Sequence, residues 1–194
     1  IVSDGNGIVV GHGVHITAGG TPEFQVLGTS GSDSALMIGR WDNSGGGPVL
    51  NMLHSRHTSV GSNTIVQSGD TLGDIVFRGD DGSDFQTIAG QISVLVDGTP
   101  GADDMPGRIE LSTTPDGAAA VVKRMQIDSA GKATFYGEVQ VDGDLDLNGT
   151  NIGFYGTAPA PKPAISGSRS GNAALADLLT ELATLGLITD SSSA

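Results

Sequence analysis

Three groups of carboxylates and two pairs of histidines are the residues whose spacing could do chemistry. Asp80, Asp81 and Asp84 sit together in GDDGSD, Asp97, Asp103 and Asp104 follow in the next polar stretch, and Asp142, Asp144 and Asp146 occupy alternate positions further on. Clustered carboxylate oxygens are what a hard cation such as Ca²⁺ or Mg²⁺ needs. Asp80, Asp81 and Asp84 lack the acid at the twelfth position of an EF-hand loop. Ordinary Asp-Gly turn chemistry explains them and the second group equally well. The alternation places Asp142, Asp144 and Asp146 on one face, either solvated or holding an ion between chains.

The pairs His12/His15 and His54/His57 share the spacing H-x-x-H. On extended chain the two rings of such a pair point to opposite faces, which suits a shared transition metal poorly. Trp41, the single tryptophan, is flanked by Arg40 and Asp42 and followed by Gly45-Gly46-Gly47. A flat indole beside an adaptable loop can stack on a sugar ring, or equally well pack in a core. His54, Arg56 and His57 form a candidate polar rim after the apolar run Val49-Leu50-Asn51-Met52-Leu53. For hydrolysis the chain carries no HExxH and no GxSxG. A glycan hydrolase needs only two carboxylates about 5 to 10 Å apart, which 22 acidic residues cannot exclude.

The formal charge is −13, from nine Lys and Arg against 22 Asp and Glu. A nucleic-acid binder needs a basic patch to displace phosphate counterions, and no run of Lys or Arg supplies one. Self-association would multiply this charge in one particle and favour bound Ca²⁺ or Mg²⁺. There are no cysteines, so disulfides and Cys-ligated zinc are excluded. No stretch of about eighteen apolar residues predicts membrane insertion. The sequence opens at Ile1 in mid-pattern, as expected of a fragment or processed chain. Only 37% of residues are hydrophobic, 4% are aromatic and 31 are glycine. Such a thin core suits a β-rich oligomer better than a self-sufficient monomer.

The elements that must position these residues are mostly strands. From Ala133 to Asn148 apolar and polar residues alternate, with Phe135, Val139, Val141, Leu145 and Leu147 on one side and Glu138, Gln140, Asp142, Asp144 and Asp146 on the other. Period two predicts extended chain with one buried face, and copies of the same chain are the expected cover. Upstream, Ile75/Phe77, Ile92/Val94/Val96, Ile109/Leu111 and Met125/Ile127 alternate between Asp-Gly and Pro-Asp-Gly turns. This series predicts successive antiparallel strands in a sandwich or open barrel. Residues 1–28 read as short strands broken by glycine. Pro159, Pro161 and Pro163 predict a stiff extended spacer. One helix is expected from about Ala173 to Leu185, with Asn172 as N-cap and Gly186 as stop. Leu175, Leu178, Leu182 and Leu185 form a short seam flanked by Leu179, too short to stand alone in water. Bundling of several chains is the first expectation for it and packing on its own β domain the second. Asp190 to Ala194 reads as a frayed tail.

Two long segments resemble known proteins. The first is GDTLGDIVFRGDDGSD from Gly69, VDGTPGADDMPGRIELSTTPDG from Val96 and RMQIDSAG from Arg124. It resembles a module common in tail-fibre and tailspike proteins of tailed bacteriophages. The second, GFYGTAP from Gly153 with its Pro-Lys-Pro spacer and the helix ending Leu185-Gly-Leu-Ile188, resembles the end of many phage fibre and virion structural proteins. Together they cover about two-thirds of the chain. The resemblance implies a homotrimer on a phage particle, at the tail or head surface, and does not imply catalysis. Nothing after Gly156 matches the Ser-Asp chaperone cleavage site frequent in such fibres, so autocleavage is not expected.

The resulting expectation is an all-β chain. Residues 1–131 form a β-sandwich-like domain, 132–156 an intertwined trimeric β segment, 157–172 a Pro/Gly/Ser spacer and 173–188 a helix that joins three chains. Its function is attachment to a host surface, with a glycan as ligand, or support of a receptor-binding domain, in contact with other virion proteins. The alternatives are a capsid decoration protein and a small tailspike glycan hydrolase.

Overall fold

The computed structural model describes residues 2–3, 8–11, 13–20, 22–149, 151–152 and 158–193. His12 and the GFYG motif therefore lie outside the described residues. The chain is mostly β with one short C-terminal helix, as the alternation and the capping pattern require. It divides into two compact units, Ile1–Val139 and Gln140–Ala194.

In the first unit, β1 (Val2–Ser3), β2 (Ile8–Val10) and β3 (Phe24–Val26) form a small sheet, with β1 antiparallel and β3 parallel to β2. Val9 and Gln25 are buried in it. The Gln25 amide replaces a missing backbone partner: its Oε1 accepts from the Ile16 N–H at 2.9 Å and its Nε2 donates to the Ile16 carbonyl at 3.0 Å.

The chain then runs from Leu27 to Asp70 without a helix or strand. The apolar run Val49–Leu53 forms no strand there. Leu36, Met37, Val49, Leu50, Leu53 and Val60 are all exposed.

The larger sheet follows. Strands β4 (Thr71–Arg78), β5 (Ile88–Val96), β6 (Gly107–Thr113), β7 (Val122–Ile127) and β8 (Ala133–Phe135) lie side by side in sequence order, all antiparallel. The turns do what their residues dictate. At Asp128-Ser-Ala-Gly131 the Asp128 carboxylate accepts the Ala130 and Lys132 amides, and Gly131 adopts φ 78°, where a side chain would be strained.

Because side chains alternate and paired residues share a face, the register sorts the sheet by polarity. Ile75, Ile92, Leu111, Met125 and Phe135 form one row across all five strands, and Gly73, Val94, Ile109, Ile127 and Ala133 form the next. Asp74, Ser93, Glu110, Gln126 and Thr134 form a row on the opposite face. The apolar rows are not closed over: Ile75 is 46% exposed, Ile109 44% and Phe135 52%.

The long alternating stretch forms a strand only over β8. Residues 136 to 149 contain no strand, and Val139, Val141, Leu145 and Leu147 are exposed. Alternation specifies which side chains share a face but supplies no partner strand, and the described chain offers none here.

In the second unit, β9 (Asn151–Ile152) pairs antiparallel with β10 (Ala160–Pro161) at the proline spacer. Strand β11 (Ala164–Ser168) leads through α1 (Ala173–Thr184) to β12 (Thr189–Ser193), which lies parallel to β11. Of the residues expected as a frayed tail, Asp190 to Ser193 therefore belong to a strand, held by β11 and by the Arg169 N–H, which donates to the Ser193 carbonyl at 2.8 Å, and Ala194 lies outside the described residues. Asn172 Oδ1 caps the helix by accepting from the Leu175 N–H at 3.1 Å. Gly186, at φ 74°, ends it: its N–H donates to the Ala183 carbonyl and the Leu187 N–H to the Leu182 carbonyl, the paired bonds of a Schellman stop. Leu179 and Ile188 are buried, whereas Leu175, Leu178 and Leu185 stand exposed. The helix thus packs locally through the flank of its leucine stripe and leaves the seam open, with Leu182 half-buried.

Candidate functional site

Trp41 sits on a loop stiffened by its two neighbours. The Arg40 guanidinium pairs with the Asp42 carboxylate and donates to Ser44 Oγ at 2.8 Å. Asp42 Oδ1 accepts from the Ser44 N–H at 2.9 Å and the Ser44 hydroxyl at 2.8 Å. These amide and hydroxyl donors, with Arg40, hold the Asp42 carboxyl below its ordinary range. The indole is 89% exposed. Its ring lies against Gly39, where an added Cβ would come within 2.8 Å of ring carbons. The loop therefore presents a flat apolar surface beside a neutralised ion pair.

The proposed rim residues go elsewhere. Arg56 grips Asp70 with two bonds of 2.6 Å, and Asp70 also accepts from the Gln67 N–H at 2.8 Å. The guanidinium and that amide hold the Asp70 carboxyl far below the usual carboxylate range. His54 Nδ1 lies 2.7 Å from the Thr71 carbonyl oxygen. His57 Nδ1 instead accepts from the Ser59 N–H at 2.9 Å within its own turn. His54 and Arg56 thus fasten the chain to the start of β4, while the polar bonds of Arg40 and Asp42 stay within residues 40–44. Asp70 is the partner that sequence spacing did not reveal, because an ion pair across fourteen residues follows no local rule.

The acidic candidates are occupied by their own turns. Asp80 Oδ1 accepts from the Gly82 N–H at 2.8 Å, and Asp84 Oδ1 from the Gln86 N–H at 2.7 Å. Asp81 Oδ1 accepts from the amides of Ser83 and Asp84, and these bonds lower its pKa, the Asp84 amide most. Asp142 accepts from the Gln140 amide at 2.5 Å and Asp146 from Asn148 at 3.2 Å, while Asp144 is exposed. Among the described residues no three His, Asp or Glu side chains gather as an ion would require. At Asp80, Asp81 and Asp84 backbone amides thus take up carboxylate oxygens, as Asp-Gly turn chemistry requires.

The polar face of the large sheet carries a network that the sequence reading missed. Glu110 Oε1 accepts from Arg108 Nε at 2.7 Å and Lys123 Nζ at 2.5 Å. Arg108 continues to Asp97 at 3.3 Å, and Lys123 to Gln126 at 2.8 Å. Tyr136 donates to Gln126 at 3.3 Å, and Lys123 Nζ sits 5.4 Å from its ring centroid. Burial alone would raise the Glu110 pKa, but the bonds from Lys123 and Arg108 outweigh it and the carboxyl titrates below its ordinary value. The polar alternation Arg108, Glu110, Ser112 was the available signal.

The apolar face bears a groove of about 450 Å³, between Leu50 and Met52 on one side and Leu72, Ile75, Ile92 and Val94 on the other. Met52 lies over Gly73, where an added Cβ would come within 2.6 Å of its sulfur. The long strandless stretch thus touches the face at one edge and leaves the remainder open.

No protein-family model and no curated protein matches the chain. Solved structures do, two of them as follows. One is the carboxy-terminal domain of the bacteriophage T5 L-shaped tail fibre with its intramolecular chaperone domain, at 19% identity and TM-score 0.50 over 65% of this chain and 34% of that one. The other is a structure of the carboxy-terminal domain of the same fibre, at 20% identity and TM-score 0.50 over 67% of this chain and 51% of that one. The chain carries a phage tail-fibre fold. It spans between a third and a half of the length of the tail-fibre structures it matches. On this tail-fibre fold the chemistry displayed is an exposed indole, a salt-linked polar face and an open apolar face.

Proposed function

We propose that the chain is a structural segment of a phage fibre, assembled as a homotrimer on the virion, that attaches to a host surface or carries the domain that does. The observation that supports this best is the uncovered apolar face of the five-stranded sheet. An exposed apolar surface spanning five strands is costly in water and marks a surface that another protein covers. Phe135 lies on that face; Val139, Val141, Leu145 and Leu147, and the helix seam Leu175, Leu178, Leu182 and Leu185, are proposed as further residues that meet other copies. In this reading the chain contributes shape and binding, and no catalytic step.

Trp41, with Arg40 and Asp42, is the proposed contact with surface polysaccharide, because a stiff loop displays the indole. His54, Arg56 and His57 support the neighbouring backbone. As the single tryptophan, Trp41 reports its own environment. Light scattering of the intact chain is expected to give a mass about three times 19.5 kDa, and a monomer would refute the assembly. Titration with host polysaccharide is expected to shift the Trp41 emission without releasing new reducing ends. An unchanged spectrum removes the glycan contact, and new reducing ends would make the protein a hydrolase.

A further inference from the structure

We infer that Asn148 is a site of spontaneous covalent modification: its side-chain amide is lost through a succinimide formed with the Gly149 nitrogen, and aspartate or isoaspartate takes its place. The reacting atoms belong to one chain, so the inference does not depend on the assembly proposed above.

The chemistry needs an unengaged backbone N–H directly after an asparagine, a backbone free to swing that nitrogen against Cγ, and little bulk in the way. In a helix or sheet the N–H is committed to a carbonyl and the backbone is fixed. Asn148 and Gly149 lie in the exposed stretch after β8 that contains neither. Among the described residues the Gly149 N–H makes no hydrogen bond. The Asn148 side chain donates from Nδ2 to Asp146 Oδ2 at 3.2 Å, which leaves Cγ open to attack. Gly149 has no Cβ to shield its nitrogen and the widest choice of backbone conformations.

Each other described asparagine lacks one of these conditions. The N–H after Asn43 belongs to Ser44 and is taken by Asp42 Oδ1 at 2.9 Å. The N–H after Asn63 belongs to Thr64 and donates to Ser55 Oγ at 3.1 Å. Asn172 spends its own Oδ1 on the helix cap. Asn51 and Asn151 precede Met52 and Ile152, whose side chains crowd the nitrogen, and Asn151 belongs to β9. Asn6-Gly7 repeats the dipeptide outside the described residues. The Asp-Gly pairs are poorer electrophiles, because a carboxylate repels the nucleophile that a neutral amide admits. At Asp97-Gly98 the Ser129 amide and Arg108 also hold the carboxylate in place.

In the reaction the Gly149 nitrogen gives its proton to water and bonds to Asn148 Cγ. The Cγ–Nδ2 bond breaks, and Nδ2 takes a proton from water and leaves as ammonia. A second water then opens the five-membered ring. Cleavage of the new bond leaves aspartate, and cleavage at the main-chain carbonyl leaves isoaspartate, with the backbone rerouted through the side chain. Ammonia is lost, water is gained, and nothing is oxidised or reduced. The product adds one negative charge to a chain of −13. It continues the alternating acids Asp142, Asp144 and Asp146, and replaces the Asn148–Asp146 bond with repulsion.

For the test, the full chain is incubated at mildly alkaline pH and digested with trypsin, with an unincubated sample as blank. The peptide from Ala133 to Arg169 is followed by mass spectrometry with fragmentation, alongside those bearing Asn43 and Asn63. Position 148 is expected to convert before those two, faster as pH rises, to two products of equal mass that separate chromatographically. Gly149→Ala should slow it by roughly tenfold or more, since a Cβ shields the nitrogen and restricts the backbone. That side chain fits: the nearest atom to an added Cβ is the Asn151 carbonyl oxygen at 3.7 Å. Asn148→Gln, whose ring would need one more carbon, should stay unmodified over the same time. An unchanged Asn148 overturns the inference, as does conversion no faster than at Asn43 or Asn63, or an equal rate in Gly149→Ala. Aspartate with no isomer would mean direct hydrolysis and overturns the succinimide route.

Discussion

The two faces of the five-stranded sheet are covered in the opposite way from a self-sufficient domain. On the polar face Glu110 retains 14% side-chain exposure, Arg108 19% and Lys123 31%, because long side chains fold over one another in a shared network. On the apolar face Ile75, Ile109, Leu111 and Phe135 are open. Long charged side chains can shield each other with their own methylene stems. Short aliphatic side chains standing on one layer cannot, and need a second layer. The polar face is thus covered by its own side chains, and the apolar face is left open.

The largest effect is expected where that contrast is attacked directly. Ile92→Asp puts a carboxylate in the middle of the apolar rows and should weaken association by about 3 kcal/mol, roughly a hundredfold, seen as a fall to single-chain mass in light scattering. Thr134→Asp, on the polar face, should leave the mass unchanged. Glu110→Ala leaves Arg108 and Lys123 without their common carboxylate. It should lower stability by about 1 to 3 kcal/mol, read from the urea midpoint, since breaking a half-buried network strands its remaining charges.

Acid probes the same network more gently. Glu110 and Asp97 titrate below their ordinary values in the folded chain, Glu110 through Lys123 and Arg108 acting against burial, Asp97 chiefly through the Ser129 amide. A depressed folded-state pKa adds stability that is present above the unfolded-state value and is lost as pH falls through the folded one. The urea midpoint should therefore hold down to about pH 5 and drop below about pH 4, with a shallower drop in Glu110→Ala. Away from the sheet, Gly186→Ala forces a side chain into φ 74° at the helix stop and should cost about 1 kcal/mol. Arg56→Ala removes an ion pair whose arginine is 42% exposed, so a change under about 1 kcal/mol is expected.

How much of this was legible in the sequence follows the range of the forces involved. Alternation at Ile75/Phe77, Ile92/Val94 and Ile109/Leu111, with Asp-Gly turns between, marked the antiparallel strands because both signals are local. Asn172 and Gly186 marked the helix for the same reason. The role of that helix was not legible: Leu179 packs inward because β12 lies parallel to β11, and Thr-Asp-Ser-Ser-Ser carries no apolar pattern to announce a strand. Neither the Arg56–Asp70 pair nor the Glu110 network follows a sequence spacing rule, since each depends on a register set elsewhere. The stretch after Phe135 shows the converse, a strong local pattern that one chain alone leaves without pairing.

The parallel pairing of β11 with β12 has a mechanical consequence. The chain enters β11 at Ala164 and leaves β12 at Ser193, at opposite ends of the five-residue register. Tension drawn along the chain through these two points slides the strands past each other, so the rungs of the ladder are strained together. A hairpin pulled from its two open ends would instead yield one rung at a time. A segment built this way resists a lengthwise tug with its whole ladder.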